Sequence, residues 1–237
     1  MPPGAGRGDS GSHSASGSHS AGGSPARARF EPVDPITLAD RLAAALVDRD
    51  VAGTALRVAI DGPRAADPGV FAEALVVAMR ALGRPGVHIR TETFWRDAAL
   101  RLEYGRTDLE SYVDGWLDTD ALRREVLDPL GPGGTGRYLP SLRDPTTNRA
   151  TRDPVRQAEL GLVVLISGEL LLGRDLPFDE TIHLALSPGA RRRRTPPEWQ
   201  WTLPALDSYE AVVDPVRNAG VTLRYDDPDH PAIRVRA

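Results

Sequence analysis

The stretch "RVAIDGPRAADPGVFAEAL", residues 57–75, decides how the rest of the chain is read. A short apolar run (Val58, Ala59, Ile60) meets Asp61-Gly62-Pro63, and an apolar pattern with helical spacing follows at once. Strand, glycine turn and helix form the setting of the phosphate-binding loop G-x-x-x-x-G-K-[ST], whose backbone N–H groups and lysine hold phosphates. Counted from Gly62, the last three places hold Asp67, Pro68 and Gly69, so the second glycine, the lysine and the hydroxyl are missing. Pro68 has no N–H to donate. Asp67-Pro68 is instead a good helix start, an Asp N-cap followed by proline at the first helical position. A carboxylate there occupies the anion position and repels a phosphate.

Outward from this stretch, short apolar strands are expected at 56–60, 86–90, 162–166, 181–186 and 221–225, with helices at 69–82, 118–127 and around 187–194. The periodicity beginning at residue 36 predicts a further helix, with Thr37 as its N-cap. Strands alternating with helices imply a mostly parallel five-stranded sheet covered on both faces, an α/β three-layer fold. The turn-rich run "GPGGTGRYLPSLRDPTTNRATRD" (131–153) interrupts the alternation and is expected to be a β-hairpin insertion at the carboxyl edge of the sheet, where such folds bind ligands.

Residues 1–28 are mostly Gly, Ser, Ala and His, which cannot bury enough apolar surface to offset ordering entropy; a disordered tail is expected there, and one domain over 29–237. The formal charge of −4 argues against a nucleic-acid binder. There are no cysteines, which excludes disulfides, zinc-thiolate sites and cysteine nucleophiles. All 29 basic residues are arginine, so no lysine elsewhere can stand in for the missing one. No segment approaches the ~20 apolar residues of a membrane span, and the start of the chain lacks the apolar core of a signal peptide. A cytoplasmic protein is the expectation; the oligomeric state is left open.

With its segments in this order, the chain resembles the uridine kinase family of P-loop nucleoside kinases over roughly residues 55–231. The resemblance rests on "RVAIDGP", on "TETFWR" (91–96), on "YVDGWLDTDALRREVLDPLGPGG", on the hairpin "RYLPSLRDPTTNRAT", on "LVVLISGELLL", on the "RRRR" run and on the terminal "YDDPDHP". It implies a P-loop NTPase-like fold and ATP-dependent phosphorylation of a pyrimidine nucleoside or similar alcohol, with Mg2+ and ATP as cofactors. Residue by residue, it implies Glu92 as catalytic base and Phe94, Trp95, Arg96, Asp144 and Arg149 as nucleoside contacts. Gly62, Arg64, Asp67, Gly69, Arg191 and Arg194 fall at phosphate positions, and Glu169 at a metal position. Trp199 and Trp201, in "TPPEWQWTLP", are expected to anchor a shortened lid. The sequence departs from the family at Asp67, Pro68 and Gly69, and at Ser167, where the family tends to carry an acid. Two functions therefore stand side by side: a phosphotransferase with an altered ATP site, and a catalytically impaired protein that binds a nucleoside or nucleotide.

Overall fold

The computed structural model describes residues 29–51 and 53–235; the expected tail lies outside the described residues. Among the described residues nine strands are formed: β1 (Arg29–Pro32), β2 (Ala55–Asp61), β3 (Gly86–Arg90), β4 (Arg137–Tyr138), β5 (Arg156–Gln157), β6 (Leu162–Gly168), β7 (Glu180–Ala185), β8 (Val221–Arg224) and β9 (Ala232–Val235). The helices are α1 (Pro35–Val47), α2 (Pro68–Ala81), α3 (Ala98–Arg101), α4 (Thr119–Leu122), α5 (Asp128–Leu130), α6 (Pro188–Arg194), α7 (Leu203–Val212) and α8 (Pro215–Asn218).

The main sheet runs β1-β9-β8-β7-β2-β6-β3. Its five expected strands are parallel to one another, and β9 and β1 add two antiparallel strands at one edge, so the sheet has seven strands rather than five. The extra strands escape sequence patterning because "RFEP" and "AIRV" are only four residues long and carry no continuous apolar run. Along β2, Leu56, Val58 and Ile60 enter a core shared with α1 and α2, while Ala55 and Ala59 enter the core on the opposite face, built with α4 and α5. Burial on both faces removes the polar alternation of a half-exposed strand, which is why β6 reads as an apolar run over Leu162–Ile166 and β2 as one interrupted only by Arg57 before it reaches Asp61.

Two local differences have clear causes. Helix α1 starts three residues early because Asp34, not Thr37, is the N-cap: its Oδ1 accepts from the N–H groups of Ile36 (3.0 Å) and Thr37 (3.1 Å), with Pro35 next in line. The helix expected over 118–127 is broken into α4, a wider turn over Arg123–Leu127, and α5. Pro129 has no N–H to return to the Glu125 carbonyl, and that carbonyl accepts from Leu139 of the insertion at 3.0 Å instead. The insertion is a hairpin, with β4 antiparallel to β5 and a bridge between Arg143 and Ala150.

The pairing register sets the site. Asp61 lies opposite Gly168 and His183, and Arg90 lies opposite Ser167. The chain passes from β2 to β3 on one side and from β6 to β7 on the other. The carboxyl ends of β2, β3 and β6 therefore open into one crevice, the place where ligands enter open α/β sheets.

Candidate functional site

The loop between β2 and α2 keeps the bend of a phosphate-binding loop and has lost its open donors. Asp67 has φ 51° and ψ 61°, the left-handed conformation for which the motif employs glycine. Asp is one of the few residues that tolerates it, and its Oδ1 accepts from the N–H of Val70 at 3.2 Å, capping α2. The same Asp-Pro device starts α1 and α8. Four further N–H groups of the loop, those of Gly62, Arg64, Ala66 and Asp67, are engaged within the protein. The N–H of Gly62 bonds to the Gly168 carbonyl (3.1 Å), Ala66 to Pro63 (2.7 Å) and Asp67 to Arg64 (3.0 Å). The N–H of Arg64 donates to Glu169 Oε1 at 2.5 Å. Pro63 and Pro68 have no N–H at all, so the loop's anion interactions are made by the protein's own carboxylates and carbonyls.

Gly69 has a partner that sequence did not suggest. A Cβ built on it would stand 2.8–2.9 Å from the guanidinium of Arg90, the last residue of β3. Arg90 is held by Glu73 on α2 (2.9 Å), and that hydrogen bond, ahead of the charges of Glu73, Glu92 and Asp67, raises its pKa. A side chain at 69 would push the arginine aside, so the guanidinium lies here only because 69 is glycine, at the position where a motif Ser or Thr would hold magnesium. Ser167 stands at the end of β6, and its Oγ lies 2.7 Å from His88 Nε2. The only signal for Arg90 in the sequence was its place just before Glu92.

Glu169 and Glu92 flank Arg64. Glu169, 10% exposed, accepts from the Tyr112 hydroxyl on Oε2 at 2.7 Å and from the Arg64 backbone on Oε1, and Oε2 also lies 3.4 Å from the Arg64 guanidinium. Burial raises its pKa, against the lowering effect of Arg64 and the hydrogen bonds. Glu92, in the turn after β3, lies 3.9 Å from Arg64. The Arg64 guanidinium stacks on Trp199 at 3.9 Å and faces Trp95 at 5.9 Å. Around it, the chain's four tryptophans and Tyr112 form one cluster with edge-on, tilted and stacked contacts. The cavity left between Arg64, Glu92, Trp95, Tyr112, Trp116 and Glu169 is about 30 Å³, the share of one water. A second cavity of about 210 Å³, bounded by Arg64, Asp67, Gly69, Arg90, Glu92 and Ser167, continues toward the loop.

The remaining expected residues are distributed as follows. Phe94 is fully buried in the core with Leu122 and Leu127 and offers no face to a ligand. Arg96 borders a separate groove with Leu100 and Tyr104. Asp144 and Arg149 sit on the exposed hairpin tip, and the Asp144 carboxylate is taken by the N–H groups of Thr146 and Thr147. Neither lines the cavities around Glu92. Gly62 is called for by the close approach of Leu184 in β7, whose Cβ lies 3.0 Å from where a side chain at 62 would begin. Arg191 is 2% exposed and paired with Asp207 and Glu210 of α7, and Arg194 donates to the Tyr225 and Asp226 carbonyls. Both arginines tie α6 to its neighbours and are committed there. Beneath the loop, Asp61 is fully buried and accepts from Leu171 N–H (2.9 Å), the Tyr209 hydroxyl (3.0 Å) and His183 Nδ1 (2.6 Å).

His88 supplies a test of this arrangement. Burial, with help from the charge of Arg90, lowers its pKa from 6.5 to about 4, against the opposing pull of Glu73. The unfolded imidazole therefore takes up its proton at higher pH than the folded one. The stability this contributes is present above about pH 6.5 and lost as the pH falls toward 4. The Tm of the wild type should fall across that interval, and that of His88→Gln should fall less. Parallel curves would show that His88 is not the group responsible.

No protein-family model and no curated protein matches this chain. Solved structures do share its architecture. One, named "Possible Uridine Kinase" from Bacillus stearothermophilus, is 18% identical, with 78% of this chain and 96% of that one covered at a TM-score of 0.62. Another, named "putative fructose transport system kinase" from Silicibacter sp. TM1040, is 20% identical over 78% of this chain and 89% of its own, at a TM-score of 0.56. The fold is thus that of the P-loop kinases.

Proposed function

We propose that this chain is a P-loop-kinase-like protein, cytoplasmic, with an altered ATP site, which binds a nucleoside or nucleotide between Glu92 and the tryptophan cluster. The observation that carries the reading is the hydrogen bond from the Arg64 N–H to Glu169. A loop donor that would meet a phosphate oxygen meets an internal carboxylate instead. Magnesium and a triphosphate do not fit the residues present. Pro68 offers no N–H, Arg90 fills the place of the metal-binding hydroxyl, and Glu169, the expected metal ligand, is held by Tyr112 and Arg64. Among the described residues no group of three His, Asp or Glu side chains could hold a metal ion. Among them also, no helix is long and apolar enough to cross a membrane.

The aromatic side supports ligand binding. Trp95 and Trp199 are half-buried, and Trp116 has a buried indole N–H without a partner. Exposed ring faces and an unpaired donor suit a planar heterocycle. The present cavity is too small for one, so binding requires the Pro197–Thr202 segment to lift Trp199 from Arg64. Because all four tryptophans lie in this cluster, their fluorescence reports the event directly. Uridine or cytidine should change the emission saturably at millimolar concentration or below, and magnesium ATP alone should not. An absence of response to any pyrimidine nucleoside or nucleotide would remove the proposal. Glu92 beside Arg64 keeps a second reading alive, a phosphotransferase with a rebuilt donor site. Turnover of uridine with magnesium ATP, abolished by Glu92→Gln, would establish it.

A further inference from the structure

We infer that the cavity bounded by Arg64, Gly69, Arg90 and Ser167 takes the phosphate of a phosphorylated small molecule without a divalent metal, with the Arg90 and Arg64 guanidinium groups as its cations. The inference deepens the reading above, since it names the phosphate side of the ligand bound there.

Two departures from the family pattern, Gly69 and Ser167, become consistent once Arg90 is in view. Its guanidinium lies against Gly69, close enough that any larger residue would push it away. A permanent cation there excludes magnesium by charge and by space, and it makes a metal-binding hydroxyl at 69 and an acid at 167 purposeless. Ser167 is neutral, and its Oγ is engaged with His88. Arginine also differs from lysine in kind: a planar fork donates two parallel hydrogen bonds to phosphate oxygens.

The donors exist. Among the described residues, the Arg90 side chain makes one hydrogen bond, from Nη2 to Glu73, and it is 46% exposed. Arg64 Nε–H is buried and has no acceptor. The carboxylates in the same cavity are largely occupied. Asp67 caps α2, and Glu169 is held by Tyr112 and by the Arg64 N–H. Glu92, 3.9 Å from Arg64, is the group a phosphate would displace from that guanidinium. The cavity, about 210 Å³, shares Arg64, Glu92 and Glu169 with the aromatic side, so a ligand that bridges both carries a ring and a phosphate.

The sign of the magnesium effect tests this. In an ordinary phosphate loop the metal tightens phosphate binding; here it should weaken it, because it competes for the ligand and is repelled by Arg90. The full chain is titrated calorimetrically with inorganic pyrophosphate and with UMP, in EDTA and again in excess Mg2+. Binding is expected in EDTA, severalfold weaker with Mg2+. Arg90→Ala should weaken it at least tenfold, and Arg90→Lys should restore part of the loss. Gly69→Ser should resemble Arg90→Ala, because it displaces the guanidinium without removing it. Thermal melts verify that each variant is folded. Tighter binding with Mg2+, no binding in EDTA at millimolar concentration, or an Arg90→Ala variant that binds like the wild type would overturn the inference. If uridine shifts the tryptophan emission while no phosphate compound binds, this inference fails and the proposed function stands. If pyrophosphate binds through Arg90 and no nucleoside or nucleotide shifts the emission, the opposite holds.

Discussion

Restoring the phosphate-loop residues alone, Pro68→Lys with Gly69→Thr, should leave the protein unable to bind magnesium ATP. Adding Arg90→Ala and Asp67→Gly should create binding. The double variant puts a β-branched residue where even a bare Cβ meets the Arg90 guanidinium within 2.9 Å. The guanidinium is pushed aside but stays in the same cavity, and its charge keeps the metal from its seat. Shortening Arg90 empties that volume. Asp67→Gly removes a negative charge from the phosphate path, and it should cost little stability. It loses a cap, which glycine replaces at a few tenths of a kcal/mol, and it relieves a left-handed non-glycine residue worth ~1–2 kcal/mol. Pro68→Lys restores one N–H and one cation. Charge-assisted hydrogen bonds contribute about 1.5–3 kcal/mol each, so two regained contacts amount to roughly 10²-fold or more in affinity. Calorimetry of wild type, double and quadruple variants in one buffer checks the order. A double variant that binds as tightly as the quadruple would show that Arg90 does not occupy the metal position.

Asp61→Ala should be the most destabilising single change near the site, by about 3–5 kcal/mol, the usual cost of breaking a buried charged network. The carboxylate has no exposure and serves three donors from three different segments: Leu171 N–H, the Tyr209 hydroxyl and His183. Removing it leaves those donors unpaired, and His183 Nε2 already lacks a partner. Domains of this size are stable by only ~5–15 kcal/mol, so the variant should be close to unfolding at 37 °C. Tyr209→Phe removes one donor, leaves Asp61 its other two, and orphans the Leu172 N–H that the hydroxyl accepts, so ~1–2 kcal/mol is expected. Urea midpoints for the two variants should differ accordingly. A midpoint for Asp61→Ala within error of the wild type would show that the network is dispensable.

These two experiments also mark the division between what could be read and what could not. Strand β2, its glycine turn and α2 were legible because each carries a local signal: an apolar run, a glycine at a close approach and an Asp-Pro helix start. The loss of the lysine, hydroxyl and second glycine was legible by counting. The expectation that Asp67 caps α2 needed only the sequence, since N-capping is settled within four residues. The start of α1 after Asp34 is likewise a local signal, an Asp-Pro pair, whereas the widened turn before Pro129 depends on Leu139 of the insertion reaching the Glu125 carbonyl.

What tertiary structure decided was every pairing that crosses the sheet. Arg90 reaches Gly69 because β3 ends beside the start of α2, and nothing local to either residue records this. Arg191 looked like a free cation in a run of four; burial against Asp207 and Glu210 makes it a tie between helices. Phe94 and Trp95 are neighbours in sequence, yet one is sealed in the core and the other faces Arg64. The tryptophans at 95, 116, 199 and 201 come together only when the segment after α6 folds over the carboxyl ends of the strands. Sequence determined the fold and the damage to the phosphate loop, because backbone preference and apolar period are local properties. Which side chains share a cavity depends on distances between segments more than a hundred residues apart, and only the packed sheet sets those.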